Sequence, residues 1–125
     1  MNRDEQQLQE AIVTYLRLVM PEAIVHHSRN EGNRGGARGK IDGARGKRMG
    51  VLAGYPDLIV HWHGTTFLIE VKASNGRLSK AQRSVKENLE AQGIPYCLAK
   101  SIDDVRNFIT IISKEKVHDQ KNGNT

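Results

Sequence analysis

Two acidic residues, Asp57 and Glu70, flank a stretch that reads as a β-hairpin, and Lys72 stands two positions beyond the second of them. Leu58-Ile59-Val60-His61-Trp62 and Thr65-Thr66-Phe67-Leu68-Ile69 are both strand-like, and His63-Gly64 between them suits a tight two-residue turn. Counting outward from that turn pairs Trp62 with Thr65, Val60 with Phe67, Leu58 with Ile69, and therefore Asp57 with Glu70. Directly opposed strand residues lie about 4.5–5.5 Å apart at Cβ, where like charges are destabilising. A divalent cation offsets that repulsion, and magnesium is commonly held by one or two carboxylates together with substrate phosphate and water. Strand side chains alternate, so Lys72 projects on the same face as Glu70 and one ammonium stands beside two carboxylates. The plain alternative is a surface hairpin with a screened salt bridge. Against it, the charged trio punctuates otherwise apolar strands, and Tyr55-Pro56 fixes the backbone just before Asp57.

Several elements must position this trio. Residues 4–20 predict an amphipathic helix, with Leu8, Ile12, Tyr15, Leu16 and Val19 at helical spacing before Pro21 stops it. Extending that stripe toward the N-terminus lands on Glu5, while Glu10 falls on the polar side. A first-turn carboxylate favoured by the helix macrodipole explains Glu5 equally well. Ala23-Ile24-Val25-His26-His27 reads as a short strand. Ser79 opens a helix through Gln92, with Ala81, Val85 and Leu89 on its buried stripe, and Ser79 and Gln82 stand at capping-box spacing. Gly93 suits the C-terminal cap. Residues 94–99 read as an apolar strand central in the sheet, and Ser101 and Asp104 begin a last helix carrying Val105, Phe108, Ile109 and Ile112. The order helix, three strands, helix, strand, helix gives an α/β mixed sheet flanked by helices. Residues 1–113 form one domain, and the polar stretch 114–125 is expected to be disordered.

Between Arg29 and Gly54 the composition turns glycine-rich and basic, too poor in apolar residues to bury a core. Read functionally, this is an arm whose Arg29, Arg34, Arg38, Lys40, Arg45, Lys47 and Arg48 neutralise phosphates, giving salt-sensitive affinity with little sequence information. Read blandly, it is a solvated low-complexity insertion. The 125 residues carry a net charge of +5, with 38% hydrophobic and 26% charged residues, and the pI is near 9.6. That balance suits one domain with a polyanionic partner, although charge alone is weak evidence. No apolar run is long enough to span a bilayer and the N-terminus lacks a signal-peptide core, so no membrane role and an intracellular location are expected. Cys97, the single cysteine, excludes an internal disulfide and reads as a small buried hydrophobe. No Walker-type loop follows a strand, so no nucleotide cofactor is expected. His61 and His63 share a strand face and are a minor rival site for structural zinc.

Gly54-Tyr55-Pro56-Asp57, Glu70-Val71-Lys72 and Leu78-Ser79-Lys80-Ala81-Gln82, as they stand in this chain, closely resemble the PD-(D/E)xK nuclease superfamily and within it the VRR-NUC domain, over about residues 5–100. The resemblance implies a restriction-endonuclease-like core in the order αβββαβ. It implies a metal site of Asp57, Glu70 and the Val71 carbonyl, with Lys72 orienting or deprotonating water or stabilising charge. It places Gln82 beside the active site and favours Glu5, with Glu10 held in reserve. By resemblance the cofactor is Mg2+, for which Mn2+ substitutes, and the activity is a DNA endonuclease acting on branched DNA, four-way junctions above all, as a homodimer encoded by a phage or prophage and working in the bacterial cytoplasm. A flap-cutting or less selective repair nuclease is the alternative within the enzyme class, and a non-catalytic nucleic-acid-binding protein the alternative outside it. The basic insertion is longer than the family's usual connection.

Overall fold

The computed structural model describes residues 1–28 and 44–123, with side chains through residue 116. Arg29, Arg34, Arg38 and Lys40 therefore lie outside the described residues. The elements follow the expected order: α1 (Arg3–Val19), β1 (Ile24–His27), β2 (Leu58–Trp62), β3 (Thr65–Val71), α2 (Lys80–Ala91), β4 (Tyr96–Ala99) and α3 (Ile102–Gly123). The strands form one sheet in the order β1-β2-β3-β4. β1 and β2 are antiparallel, β2 and β3 are antiparallel, and β3 and β4 are parallel because α2 carries the chain back across the sheet.

Two layers of packing cover this sheet. On one face, Leu58, Val60, Phe67, Ile69, Val71, Cys97 and Ala99 meet Ile12 and Leu16 of α1 and Val105 and Ile112 of α3. On the other, Leu68 and Tyr96 meet Val85 and Leu89 of α2. β3 is apolar along almost its whole length because it is buried on both faces, whereas β2 alternates. The hairpin closes as its residues dictate. Leu58 pairs with Ile69, Val60 with Phe67 and Trp62 with Thr65, and His63 and Gly64 adopt φ of 47° and 80°, the double positive φ that a two-residue hairpin turn of matching twist needs.

Four expectations are corrected. β4 is an edge strand, not a central one; its apolar residues are buried by helices on both faces, a burial that composition cannot distinguish from burial between strands. Ala81 is exposed, and Val19 is 48% exposed, each lying off the buried stripe of its helix. The stretch from Lys114 continues α3 to Gly123. Lys116 fastens that extension to the hairpin: its Nζ donates to the carbonyls of Trp62 and His63 and lies 5.0 Å above the Trp62 ring. A cation over an aromatic face and two charge-assisted hydrogen bonds hold the helix where apolar content does not. Cys97 is buried as expected, and burial pushes its thiol up to about 12.

Candidate metal and active site

Asp57 is held from several sides. Its carboxylate Oδ2 accepts the Val71 amide at 2.8 Å, and its carbonyl accepts the Ser28 amide at 2.9 Å. The Ser28 hydroxyl also donates to the Pro56 carbonyl. The end of β1 thus ties down the Tyr55-Pro56-Asp57 corner from one flank and β3 from the other. On the third side Gly54, at φ +83°, presses against the first turn of α2, where an added Cβ would lie 2.6–2.8 Å from backbone atoms of Ala81 and Gln82. No side chain fits there, and the left-handed φ independently favours glycine. This close approach puts the start of α2 beside the Asp57 corner.

Gly54→Ala is accordingly expected to lower stability by at least about 2 kcal/mol through strain and backbone displacement, a fall in Tm of roughly 10 °C for a domain of this size. Gly64→Ala provides the comparison, because Gly64 has φ +80° but nothing within 4 Å of its Cβ position. Thermal melts of both variants separate backbone strain from close packing, and equal losses would show that the contact with α2 contributes nothing.

Glu70 is the electrostatic centre. It is the one buried charged side chain among the described residues, 2% exposed, on the face that carries Leu68 and Tyr96. Its pKa is pushed up to about 9, first by burial, then by a hydrogen bond and charge repulsion from Asp57 and more weakly by the charge of Glu5, with Lys72 pulling the other way. One carboxyl oxygen, Oε1, is buried without a hydrogen-bond partner. A buried acceptor without a donor, beside a second carboxylate, is an unstable arrangement for an anion and a suitable one for a hard cation. The donor set fits a divalent metal on that ground. Among the described residues no three His, Cys, Asp or Glu side chains gather into a complete metal centre, so remaining ligands must come from main-chain oxygen, water or substrate.

The other expected residues fall around this pair. Glu5, in the first turn of α1 behind the Asn2 cap, turns inward: its Oε1 lies 3.4 Å from the Ala73 amide and its charge is felt at Glu70. Glu10 is exposed and has no such contact with Glu70. Gln82 forms the capping box with Ser79: its Oε1 accepts the Ser79 amide at 2.8 Å and the Ser79 hydroxyl accepts the Gln82 amide at 3.1 Å. That box uses the side-chain oxygen only, leaving the amide hydrogens for another acceptor. Val71 gives its N–H to Asp57. Of the basic insertion, Arg45, Lys47 and Arg48 lie within the described residues and are exposed. Of the rival histidine pair, His61 bonds Thr66 at 2.9 Å and His63 pairs with Glu22 at 2.6 Å, and among the described residues no three such side chains gather around a common point.

Sequence reasoning passed over Ser28, Tyr96 and the packing of Gly54 against α2. The Tyr96 hydroxyl is buried without a partner on the same face as Glu70; burial, followed by the charges of Glu70 and Asp57, raises its pKa. Tyr96→Phe removes an unsatisfied buried group at little cost in volume. It is expected to leave stability unchanged or raise it by about 1 kcal/mol. A loss of that size in urea unfolding would mean that the hydroxyl has a partner in solution.

The VRR-NUC domain model matches residues 3–103. A solved structure of a protein described as a "VRR_NUC domain protein" is 29% identical, covers 85% of this chain and 84% of its own, and superposes with a TM-score of 0.59. No curated relative matches. The αβββαβ core, the Asp57 and Glu70 carboxyls brought together and a family match over most of the chain converge: this protein belongs to the VRR-NUC family, a nuclease domain of the PD-(D/E)xK type.

Proposed function

We propose that this chain is a magnesium-dependent, structure-specific DNA endonuclease that hydrolyses phosphodiester bonds in branched DNA, four-way junctions foremost, and that it works as a homodimer whose two sites nick opposed strands. The observation that carries the reading is the stranded Glu70 carboxyl, buried with one oxygen unpartnered and the Asp57 carboxylate against it. Asp57, Glu70 and the Val71 carbonyl are the groups that would hold the cation. When bound, it would lower the pKa of a water and polarise the scissile phosphoryl group.

The chain's own residues do the rest. Asp57, fixed by Val71, Ser28 and the Gly54 contact, keeps its carboxylate orientation without needing the ion to impose it. Lys72 places an ammonium close enough to lower the Glu70 pKa, where it either stabilises charge on the pentacoordinate phosphate or accepts a proton from the attacking water. Glu5 contributes through water from the end of α1. Gln82, with its oxygen committed to the helix cap, can donate its amide hydrogens to a phosphate or water. Arg45, Lys47 and Arg48 supply charge for the DNA backbone.

The test is a panel of end-labelled four-way junction, flap, nicked and linear duplexes incubated in Mg2+, together with mass measurement in solution. Paired symmetric nicks in the junction by a dimer support the reading. Cutting confined to the neighbourhood of a 5′ end would replace it with flap cleavage, and binding without cutting in Mg2+ or Mn2+ would replace it with a non-catalytic role.

A further inference from the structure

Residues 44–48 form a helical turn with a fully formed end. The Val51 amide donates to the Gly46 carbonyl at 2.7 Å and the Gly50 amide donates to the Lys47 carbonyl at 3.2 Å. Gly50 stands between them at φ +99°. This is the double hydrogen bond of a Schellman C-cap. The turn is therefore ordered by its own backbone, and it uses that order to hold apolar side chains in water. Met49 is 79% exposed, Val51 54% and Leu52 55%, among the large hydrophobics most exposed to solvent.

The same turn carries exposed Arg45, Lys47 and Arg48, and no acidic residue occurs from position 44 to 56. An apolar tip inside a purely cationic rim suits a polyanion that also presents apolar faces. Duplex DNA offers its phosphates everywhere, but its base faces only where stacking is interrupted, and apolar side chains are known to enter such steps as wedges. Met49 and Val51 precede Asp57 by eight and six residues, a reach of at most about 29 Å, so a base step held there lies within about one helical turn of the metal site.

We propose that residues 45–52 are a wedge for an interrupted base step, with Arg45, Lys47 and Arg48 on the flanking phosphates and Met49 and Val51 against the uncovered bases, and that this turn gives the nuclease its preference for branched over continuous DNA. The inference rests on the endonuclease reading for its consequence but has a test of its own. In a Glu70→Gln background, with 2-aminopurine at the branch point of a four-way junction, binding should raise the fluorescence severalfold. Adding Met49→Ser and Val51→Ser should remove the rise while binding persists at low salt. In the otherwise wild-type chain, the same pair of substitutions should lower the ratio of kcat/KM on junction to that on linear duplex by at least tenfold. An unchanged ratio, or a fluorescence rise that survives the serines, overturns the wedge. A dimer that falls apart in the serine variant also overturns it, by assigning the tip to a second copy of the chain. If the wild-type protein cuts no DNA at all, the endonuclease reading fails, and the fluorescence result alone decides the wedge.

Discussion

Glu70→Gln is expected to abolish cleavage while making the metal-free protein more stable above neutral pH. The stability side follows from linkage. Folding raises the pKa of Glu70 from 4.5 to about 9, so between those values the folded protein holds a proton that the unfolded chain releases. Stability then falls as pH rises through that window, at up to about 1.4 kcal/mol per pH unit for one group. Glutamine imitates the protonated side chain at every pH and escapes the loss. The difference between wild type and variant isolates Glu70 from the histidines and from the other carboxylates, which titrate in both. Melts in EDTA should show the two proteins alike near pH 4.5 and the variant clearly more stable at pH 8. Millimolar Mg2+ should restore the wild type at pH 8, because a ligand bound only by the folded state stabilises it by about 2.7 kcal/mol at a hundred times its Kd. It should do little for the variant, which has lost the buried carboxylate of the Asp57–Glu70 pair. Cleavage should fall beyond the roughly 10–100-fold that losing an outer-shell partner costs. A wild-type stability that follows the variant's from pH 5 to 8.5 would remove the electrostatic account of the site.

What could be read in the chain and what could not follows from the range of each interaction. The placement of Asp57 beside Glu70 was legible because a two-residue turn fixes a hairpin register that runs out to Leu58 and Ile69, the residues next to the two acids. Glu5 was legible only as an extrapolation of the Ile12 and Leu16 stripe, and only the fold shows that it turns toward Ala73 while Glu10 stays in water. Gly54 was legible as part of the Gly54-Tyr55-Pro56-Asp57 motif but its constraint was not, since that constraint is the backbone of Ala81 and Gln82, remote in sequence. The edge position of β4 was hidden for a related reason: Tyr96, Cys97 and Ala99 are apolar whether strands or helices bury them. The run of α3 past Lys114 depends on Lys116 finding the hairpin carbonyls, a tertiary contact that a polar composition conceals.

Lys72→Met is expected to separate cation binding from chemistry. Methionine keeps the length of the side chain and removes its charge, so packing at this half-buried position changes little. Lys72 now lowers the Glu70 pKa, and without it the carboxyl pair attracts every cation more strongly. A divalent ion, carrying twice the charge of a proton, gains more from the removal of that repulsion than the competing proton does. Binding of Mn2+ or Ca2+, measured by calorimetry at pH 8, should therefore be as tight as in the wild type or tighter. Cleavage should fall by about 10²–10⁴-fold, the range for loss of a positioned proton-transfer group. Lys72→Arg then distinguishes the two roles left for this residue. A guanidinium holds its proton throughout the accessible pH range, so substantial activity in the arginine variant identifies a charge stabiliser, and inactivity with intact cation binding identifies a proton acceptor. Undiminished cleavage by the methionine variant would exclude Lys72 from the reaction and leave the carboxylate pair acting without it.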